Sequence, residues 1–391
     1  MWSMMATVNP GHSDGALDGV TILDFSRVLA GPFATMMLSD LGARVTKVER
    51  PGIGDETRTW GPPHDEHGDA TYFQAVNRNK DSLALDLGSA EGLARARELA
   101  RSADVIVENF RPDVMDKLGL GYENLSAANP GLVYCSITGF GRGAGAELPG
   151  YDLLVQAVGG LMSITGSPNS EPQKVGVALV DILAGLFASV GILAALRHRE
   201  ATGEGQRVEV DLLSALLAGL VNQASGFTIA DVVPERLGNA HPSIAPYELY
   251  ATGEGELVIA VGNDRQFGAL CAVLGVPELT EDARFASNGV RVGHREELRT
   301  ELERALVPRP AADWAAQLTA VRVPAGVVND IRGAFALAES LGMEPIVSVP
   351  SARAPGADGE PPAPVRLTRN PIRLSRTPPR YRSGPPPLDG G

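Results

Sequence analysis

Cysteine, positive charge and long apolar runs are all scarce in this 391-residue chain. Its two cysteines, Cys135 and Cys271, lie far apart without metal-ligand spacing. A disulfide framework or zinc-organised fold is therefore excluded, and reduced thiols of a cytosolic protein are expected. Lys and Arg number 34 against 47 Asp and Glu, a net charge of −13 that argues against non-specific nucleic-acid binding. The six histidines form no HxH or HxxxH pair, so no metal is expected. There is no GxSxG nucleophile elbow and no GxGxxG fingerprint, which removes the usual serine hydrolase and dinucleotide readings. The opening stretch, MWSMMATVNPGHSDGALDG, has neither a basic region nor an apolar signal core, so a loose leader and no secretion are expected. No internal repeat is found.

The longest apolar run is Lys174–Arg199, KVGVALVDILAGLFASVGILAALRHR, and between Val175 and Leu196 its only ionisable residue is Asp181. A carboxylate in such company is costly unless hydrogen-bonded, paired or used. The pattern predicts a strand over Val175–Val180 and a helix over Ile182–His198, with Asp181 as N-cap. Three readings stay open on this evidence. Asp181 is a structural cap; or the run crosses a membrane, since about 20 apolar residues suffice; or Asp181 is a carboxylate nucleophile. The acid near one end, the many small residues and the lack of a second comparable run disfavour the membrane.

Elsewhere strands alternate with helices. Val20–Phe25, Ala43–Glu49, Ser82–Leu87, Ala103–Phe110 and Leu132–Phe140 read as strands, with helices over Phe33–Leu41, Ala90–Ser102 and near Pro112–Leu118. This is an α/β chain with a parallel, open sheet. Tyr151–Met162 and Leu212–Phe227 read as helices, Gln206–Leu213 as a strand or helix start, and Ser163–Lys174 as a loop. The pattern breaks from Asp231 to Pro246. We expect a large domain over 15–225, a linker over 226–250, a smaller α/β domain over 251–345, and a return segment over 346–391. The small domain should hold a strand over Glu256–Gly262, helices over Arg265–Leu274, His294–Leu306, Ala311–Thr319 and Arg332–Leu341, and a strand over Ala325–Asn329. Ser351–Pro364 reads as a flexible Pro/Gly stretch and Val365–Leu374 as a last strand.

Basic residues gather early: Arg44, Lys47, Arg50, Arg58, Arg78 and Lys80. They form either a phosphate site at the strand ends or a scattered solvated face. Asn109 and Phe110, at a strand end, are placed to bond and stack on an adenine, or are ordinary strand-end residues. Asp152 reads as a cap and Asp211 as the partner of an arginine.

Several stretches together resemble the family III CoA-transferases, the group that includes formyl-CoA:oxalate and carnitine CoA-transferases and α-methylacyl-CoA racemases. They are LDGVTILDFSRVLAGPFATMMLSDLGARVTKVERPGIGD, NRNKDSLALDL, ADVIVENFRPDVMDKLGL, PGYDLLVQAVGGLMSITG, VALVDILAG, RLGNAHPSIAPYELYAT and PVRLTRNP. The resemblance implies a large CoA-binding α/β domain, a smaller α/β domain, and two ring-like subunits interlocked as a homodimer. It implies that Asp181 is the catalytic aspartate. It implies an acyl-CoA and a small carboxylic acid as substrates, with no permanently bound cofactor, no nucleic acid and no membrane. By matched position it places CoA at Val28, Leu29, Ala30, Arg50, Leu85, Asn109, Phe110 and Lys117. Asp81 and Gly88 stand where relatives often carry a basic residue, and Thr138 where formyl-CoA transferases carry Lys. VGNDRQF replaces a GGGGQ lid, which argues against oxalate as acceptor. The racemase branch carries a His before the Asp of its G-H-D stretch. This chain has Gly150-Tyr151-Asp152, and a tyrosine, with a pKa near ~10, is a poor α-proton exchanger. A transferase is expected over a racemase or a non-catalytic CoA-binding protein.

Overall fold

The computed structural model describes residues 15–355 and 360–388. Most of the expected leader and the middle of the expected Pro/Gly stretch, 356–359, lie outside the described residues. The first elements are β1 (Thr21–Asp24), α1 (Ala30–Asp40), β2 (Arg44–Glu49), α2 (Thr71–Ala75), β3 (Lys80–Ala84), α3 (Ala90–Ser102) and β4 (Val105–Glu108). There follow α4 (Val114–Lys117), α5 (Tyr122–Ser126), β5 (Val133–Thr138), α6 (Asp152–Val158), α7 (Leu161–Ile164), α8 (Leu179–Thr202), β6 (Arg207–Asp211), α9 (Leu212–Gly219) and α10 (Val221–Ala230).

β1 to β6 form one all-parallel sheet in the order β3-β2-β1-β4-β5-β6. Strands buried on both faces read as nearly continuous apolar runs. In β4 and β5 the alternation sends Val105, Val107, Val133, Cys135 and Ile137 to one core, and Ile106 and Tyr134 to the other. The chain order reverses between β1 and β4, and open parallel sheets bind ligands outside the strand ends at such a point.

α8 closes one face. Ala184, Ala188, Ile192, Ala195 and Leu196 recur at helical spacing and are buried with Ala30, Ala34 and Leu38 of α1. Burying Ile192 and Leu196 contributes about 1.5–3 kcal/mol each. Gly203, at φ 81°, ends the helix in the left-handed conformation that glycine adopts without a Cβ clash. By length and composition α8 meets the requirement for a bilayer span. It nevertheless packs one face into this core and exposes Leu186, Phe187, Val190 and Leu193 on the other.

By density of internal contacts the chain divides into two units. One comprises the described residues to Leu161, Val175–Asp231 and the chain from Glu344 onward; the other comprises Met162–Lys174 and Val232–Met343. In the second, β7 (Tyr247–Ala251), β8 (Glu256–Ala260) and β9 (Ala325–Val327) form an antiparallel sheet. Its helices are α11 (Asp264–Leu274), α12 (Asn288–Gly293), α13 (Arg295–Leu306), α14 (Ala311–Ala320) and α15 (Ile331–Ser340). Tyr250, Ile259, Phe267, Leu270, Trp314 and Leu318 lie in its core. The return segment adds an antiparallel pair, β10 (Ile346–Val349) and β11 (Val365–Thr368), to the first unit.

Some expectations are corrected. The expected helix over Leu212–Phe227 is two helices, α9 and α10, meeting at 84°. β7 and β10 were not anticipated. No strand forms over 175–178. There the buried Gln156 side chain satisfies the backbone instead, accepting from Val175 N (2.9 Å) and donating to Val177 O (3.4 Å).

Candidate active site

Asp181 is not the cap of its helix. Ala178 holds that position and has no side-chain cap bond; Asp181 lies in the first turn. The capping carboxylate comes from another element. Asp152 Oδ1, at the start of α6, accepts from Val180 N (2.8 Å) and Asp181 N (3.4 Å), and its Oδ2 accepts from Gln156 Nε2 (2.6 Å). Asp152 thus caps α8 rather than α6. Asp211, expected to pair with arginine, caps α9 by accepting from Ser214 N (2.7 Å).

Burial first, and the negative charge of Asp152 second, raise the Asp181 pKa from 3.8 to about 7. Burial, Asp181 and Asp152 also raise that of Tyr72, so its phenol stays neutral at physiological pH.

Asp181 lines a cavity of about 280 Å³ together with Val28, Leu29, Ala30, Asn109 and Phe110. Val28 and Leu29 lie in the turn after β1, Ala30 opens α1, and the last two follow β4; β1 and β4 are the strands that flank the order reversal. Close packing brings α8 to this turn. A Cβ on Gly185, one turn after Asp181, would come within 2.6 Å of Ala30 O. The glycine-rich loop after β5, from Gly139 to Tyr151, also lines this cavity. Gly139 and Gly150 meet back to back at its base, where a Cβ on either would come within 2.5 Å of the other's Cα.

A second cavity of about 310 Å³ is lined by Arg50, Leu85, Gly88 and Leu118, and it shares Arg27 and Phe110 with the first. The Arg27 guanidinium stacks on the Phe110 ring at 4.9 Å. Lys117, on α4, is exposed and lies outside both sets of lining residues. Asp81 is exposed on β3, also outside them. Thr138 lines the first cavity and accepts from Gly141 N (3.1 Å).

The early basic cluster is mostly consumed inside the fold. Lys47 Nζ pairs with Asp55 (2.8 Å), Lys80 Nζ with Asp24 (3.2 Å), Arg78 with Asp40 (2.6 Å) and Arg58 with Glu49 (2.7 Å). Burial lowers the Lys80 pKa to about 8. Of the six, Arg50 alone lines either of these two cavities. The Asn109 amide is engaged as well: Oδ1 accepts from Arg27 N (2.8 Å) and Nδ2 donates to Arg27 O (2.8 Å). Sequence reasoning passed over Arg27, Asp55, the cross-element cap and the glycine loop. The run of Gly139, Gly141, Gly143 and Gly145 was the available signal for the loop.

The chain is similar to several known CoA-transferases. It is 46% identical over 326 residues to the succinate–glutarate CoA-transferase of Agrobacterium fabrum, covering 82% of each chain. It is 43% identical to the mouse succinyl-CoA:glutarate CoA-transferase, over 83% of this chain and 74% of the relative. It is 40% identical to the acetyl-CoA:oxalate CoA-transferase of Acetobacter aceti, over 90% of each. Among solved structures, a CaiB/BaiF family protein from Brucella suis superposes with TM-score 0.83 and 42% identity, covering 96% of this chain and 97% of the other. With the family model matching residues 17–391, the chain belongs to CoA-transferase family III.

Proposed function

We propose that the protein moves CoA from an acyl-CoA to a free carboxylic acid, with Asp181 as the covalent nucleophile. The supporting observation is a first-turn carboxylate lining one cavity with the β1 turn and the β4 end, beside a second cavity bearing arginines. In this reading the adenosine and phosphate end of CoA lies along Arg50, Leu85 and Arg27, and the thioester reaches Asp181.

The chemistry conserves thioesters. The Asp181 carboxylate attacks the thioester carbonyl; the C–S bond breaks, the thiolate leaves, and a mixed anhydride forms. The thiolate then attacks the aspartyl carbonyl, giving an aspartyl-CoA thioester and releasing the first acid as its carboxylate. The acceptor carboxylate displaces the thiolate from that thioester, forming a second anhydride. The thiolate attacks the acceptor carbonyl, producing the new acyl-CoA and restoring Asp181. One thioester replaces another, so no ATP is consumed. A carboxylate suits the role because it attacks as an anion and, once acylated, leaves readily. The start of α1 has no side-chain cap, and its amides are suited to stabilising the oxyanion.

Among the described residues lining the first cavity there is no histidine, and by resemblance Tyr151 stands where the racemase branch carries one. This favours transfer over racemisation. The relatives named above suggest short dicarboxylates as the acids. We further propose that the protein acts as a homodimer. Leu153 and Val158 of α6, Phe187 and Val190 of α8 and Phe227 and Ile229 of α10 are exposed apolar residues suited to cover by a second copy.

The test is a mass-spectrometric screen of succinyl-, acetyl- and formyl-CoA against a panel including glutarate, succinate and oxalate. In the presence of donor, hydroxylamine should attack the activated Asp181 carbonyl, releasing CoA thiol and leaving Asp181 as a hydroxamate. Undiminished turnover by Asp181→Ala would overturn the reading, and a monomer by light scattering would overturn the dimer.

A further inference from the structure

The turn that opens α1 is held by side chains from four separate places. Asp24 accepts from Ser26 N (2.9 Å) and from its hydroxyl. Lys47 Nζ donates to Ser26 O (2.8 Å). Asn109 clasps both backbone polar groups of Arg27. Asp55 accepts the next amide, Val28 N, at 3.3 and 3.2 Å.

Val28 is at φ 67°. That conformation is natural for glycine and strained for a β-branched side chain. Such strain persists only where the surroundings over-determine it, and it gathers where a backbone must be aimed. Here the surroundings are identifiable. Asp55 is fully buried, as is its partner Lys47, and the two stand 2.8 Å apart. Thr57 orients the same carboxylate from its N (3.0 Å) and Oγ1 (2.7 Å). The clamped peptide leads directly into Leu29 and Ala30, which line the cavity with Asp181, while Asp55 itself does not.

We propose that Asp55 is a positioning residue for CoA transfer: its buried carboxylate, locked by Lys47 and Thr57, holds the Val28 peptide in the left-handed region and so keeps the start of α1 turned into the Asp181 cavity. The inference rests on the functional reading above, because it assigns that cavity to acyl-CoA. It assigns Asp55 no contact with the reacting atoms. It also gives the buried Lys47 a role other than phosphate binding.

The test compares Asp55→Asn with Asp55→Asn/Val28→Gly in the full chain, using the best donor and acceptor from the acid screen. Asp55→Asn should raise the acyl-CoA KM at least tenfold, beyond its effect on kcat. Adding Val28→Gly should recover at least threefold of that loss, because glycine takes φ 67° unaided. Asp55→Asn leaves Lys47 unpaired in the interior and can fail to fold. Thr57→Val, which strips one bond from Asp55 while keeping the ion pair, therefore runs in parallel. It should raise the KM about threefold, and Val28→Gly should again reverse the rise. A folded Asp55→Asn or Thr57→Val with the parent's KM overturns the proposal, as does a loss that Val28→Gly cannot reverse. Calorimetric CoA affinity is measured on every variant. A parent that binds CoA but transfers none overturns the functional reading, and the clamp is then judged on affinity by the same thresholds.

Discussion

Replacing Asp181 by Asn should abolish turnover and stabilise the protein, and the second effect is the more informative. The folded state lifts the Asp181 pKa from 3.8 to about 7, so ionisation opposes folding. The sign follows from proton linkage. Between these two values the unfolded chain has released its proton while the folded chain still holds it, so stability falls as pH rises. Below pH 4 both states are protonated and the cost vanishes; above about 7 it is complete. Three pK units correspond to about 4 kcal/mol at ~1.4 kcal/mol per unit. Losing the favourable interaction of an anion with the helix start returns about 0.3–1 kcal/mol, and partial solvent access reduces the cost further. A net gain of about 2–3 kcal/mol for Asp181→Asn remains at pH 8. Two units in one chain make a single unfolding free energy ill-defined. The assay is therefore the difference in Tm between variant and parent, followed by calorimetry from pH 4 to 8. It should be near zero at pH 4 and grow to several degrees by pH 7.5. A variant no more stable than the parent at pH 8, or a difference independent of pH, would refute the account of a carboxylate held against its own ionisation.

Other substitutions follow from the same geometry. Asp152→Asn keeps an acceptor for the α8 amides but removes the charge that raises Asp181, so the acid limb of kcat/KM should move below pH 7. Because burial is the larger cause, the move should be partial; an unmoved limb would count against the coupling. Asp152→Ala should also lose the cap, costing about 0.5–2 kcal/mol by thermal unfolding. Gly185→Ala drives a methyl toward Ala30 O and should cost about 1–3 kcal/mol while lowering kcat/KM; a neutral result would refute the close approach of α8 to the β1 turn. Arg27→Gln should raise the acyl-CoA KM about tenfold with a smaller change in kcat, and unchanged CoA affinity by calorimetry would remove Arg27 from the binding path.

Much of the large unit was legible because its strands obey simple rules. The central strands β1 and β4 are largely apolar, and a crossover helix carries an ordinary start signal: helix Ala90–Ser102 begins at a Ser89 cap. Asp181 was legible because one charge in an apolar run has few explanations. Its cap was not, since Asp152 is 29 residues away in sequence and the bond depends on how α6 packs beside α8. The strand expected over 175–180 failed for the same reason: a distant Gln156 took the hydrogen bonds a ladder would have used. Lys47 and Lys80 were candidates for phosphate because charge is visible in a sequence and burial is not. The β7 strand, YELYA, fell at the end of the expected linker; the structure buries its Glu248 beside Arg295 and Arg299.

The interior location of these lysines shapes how the protein should respond to its ionic surroundings. Counterions in solution cannot reach them, so the scaffold they brace should tolerate concentrated salt. The cations that line the two cavities, Arg27, Arg50 and Arg111, sit within reach of solvent on a molecule of net charge −13. At ~0.15 M ionic strength, fields beyond about 8 Å are largely damped, which mutes repulsion between the acidic surface and a polyanionic substrate as well as attraction to the arginines. Moderate salt should therefore help the substrate approach and high salt should loosen its grip, giving a KM with a minimum along the salt axis while the melting profile stays level.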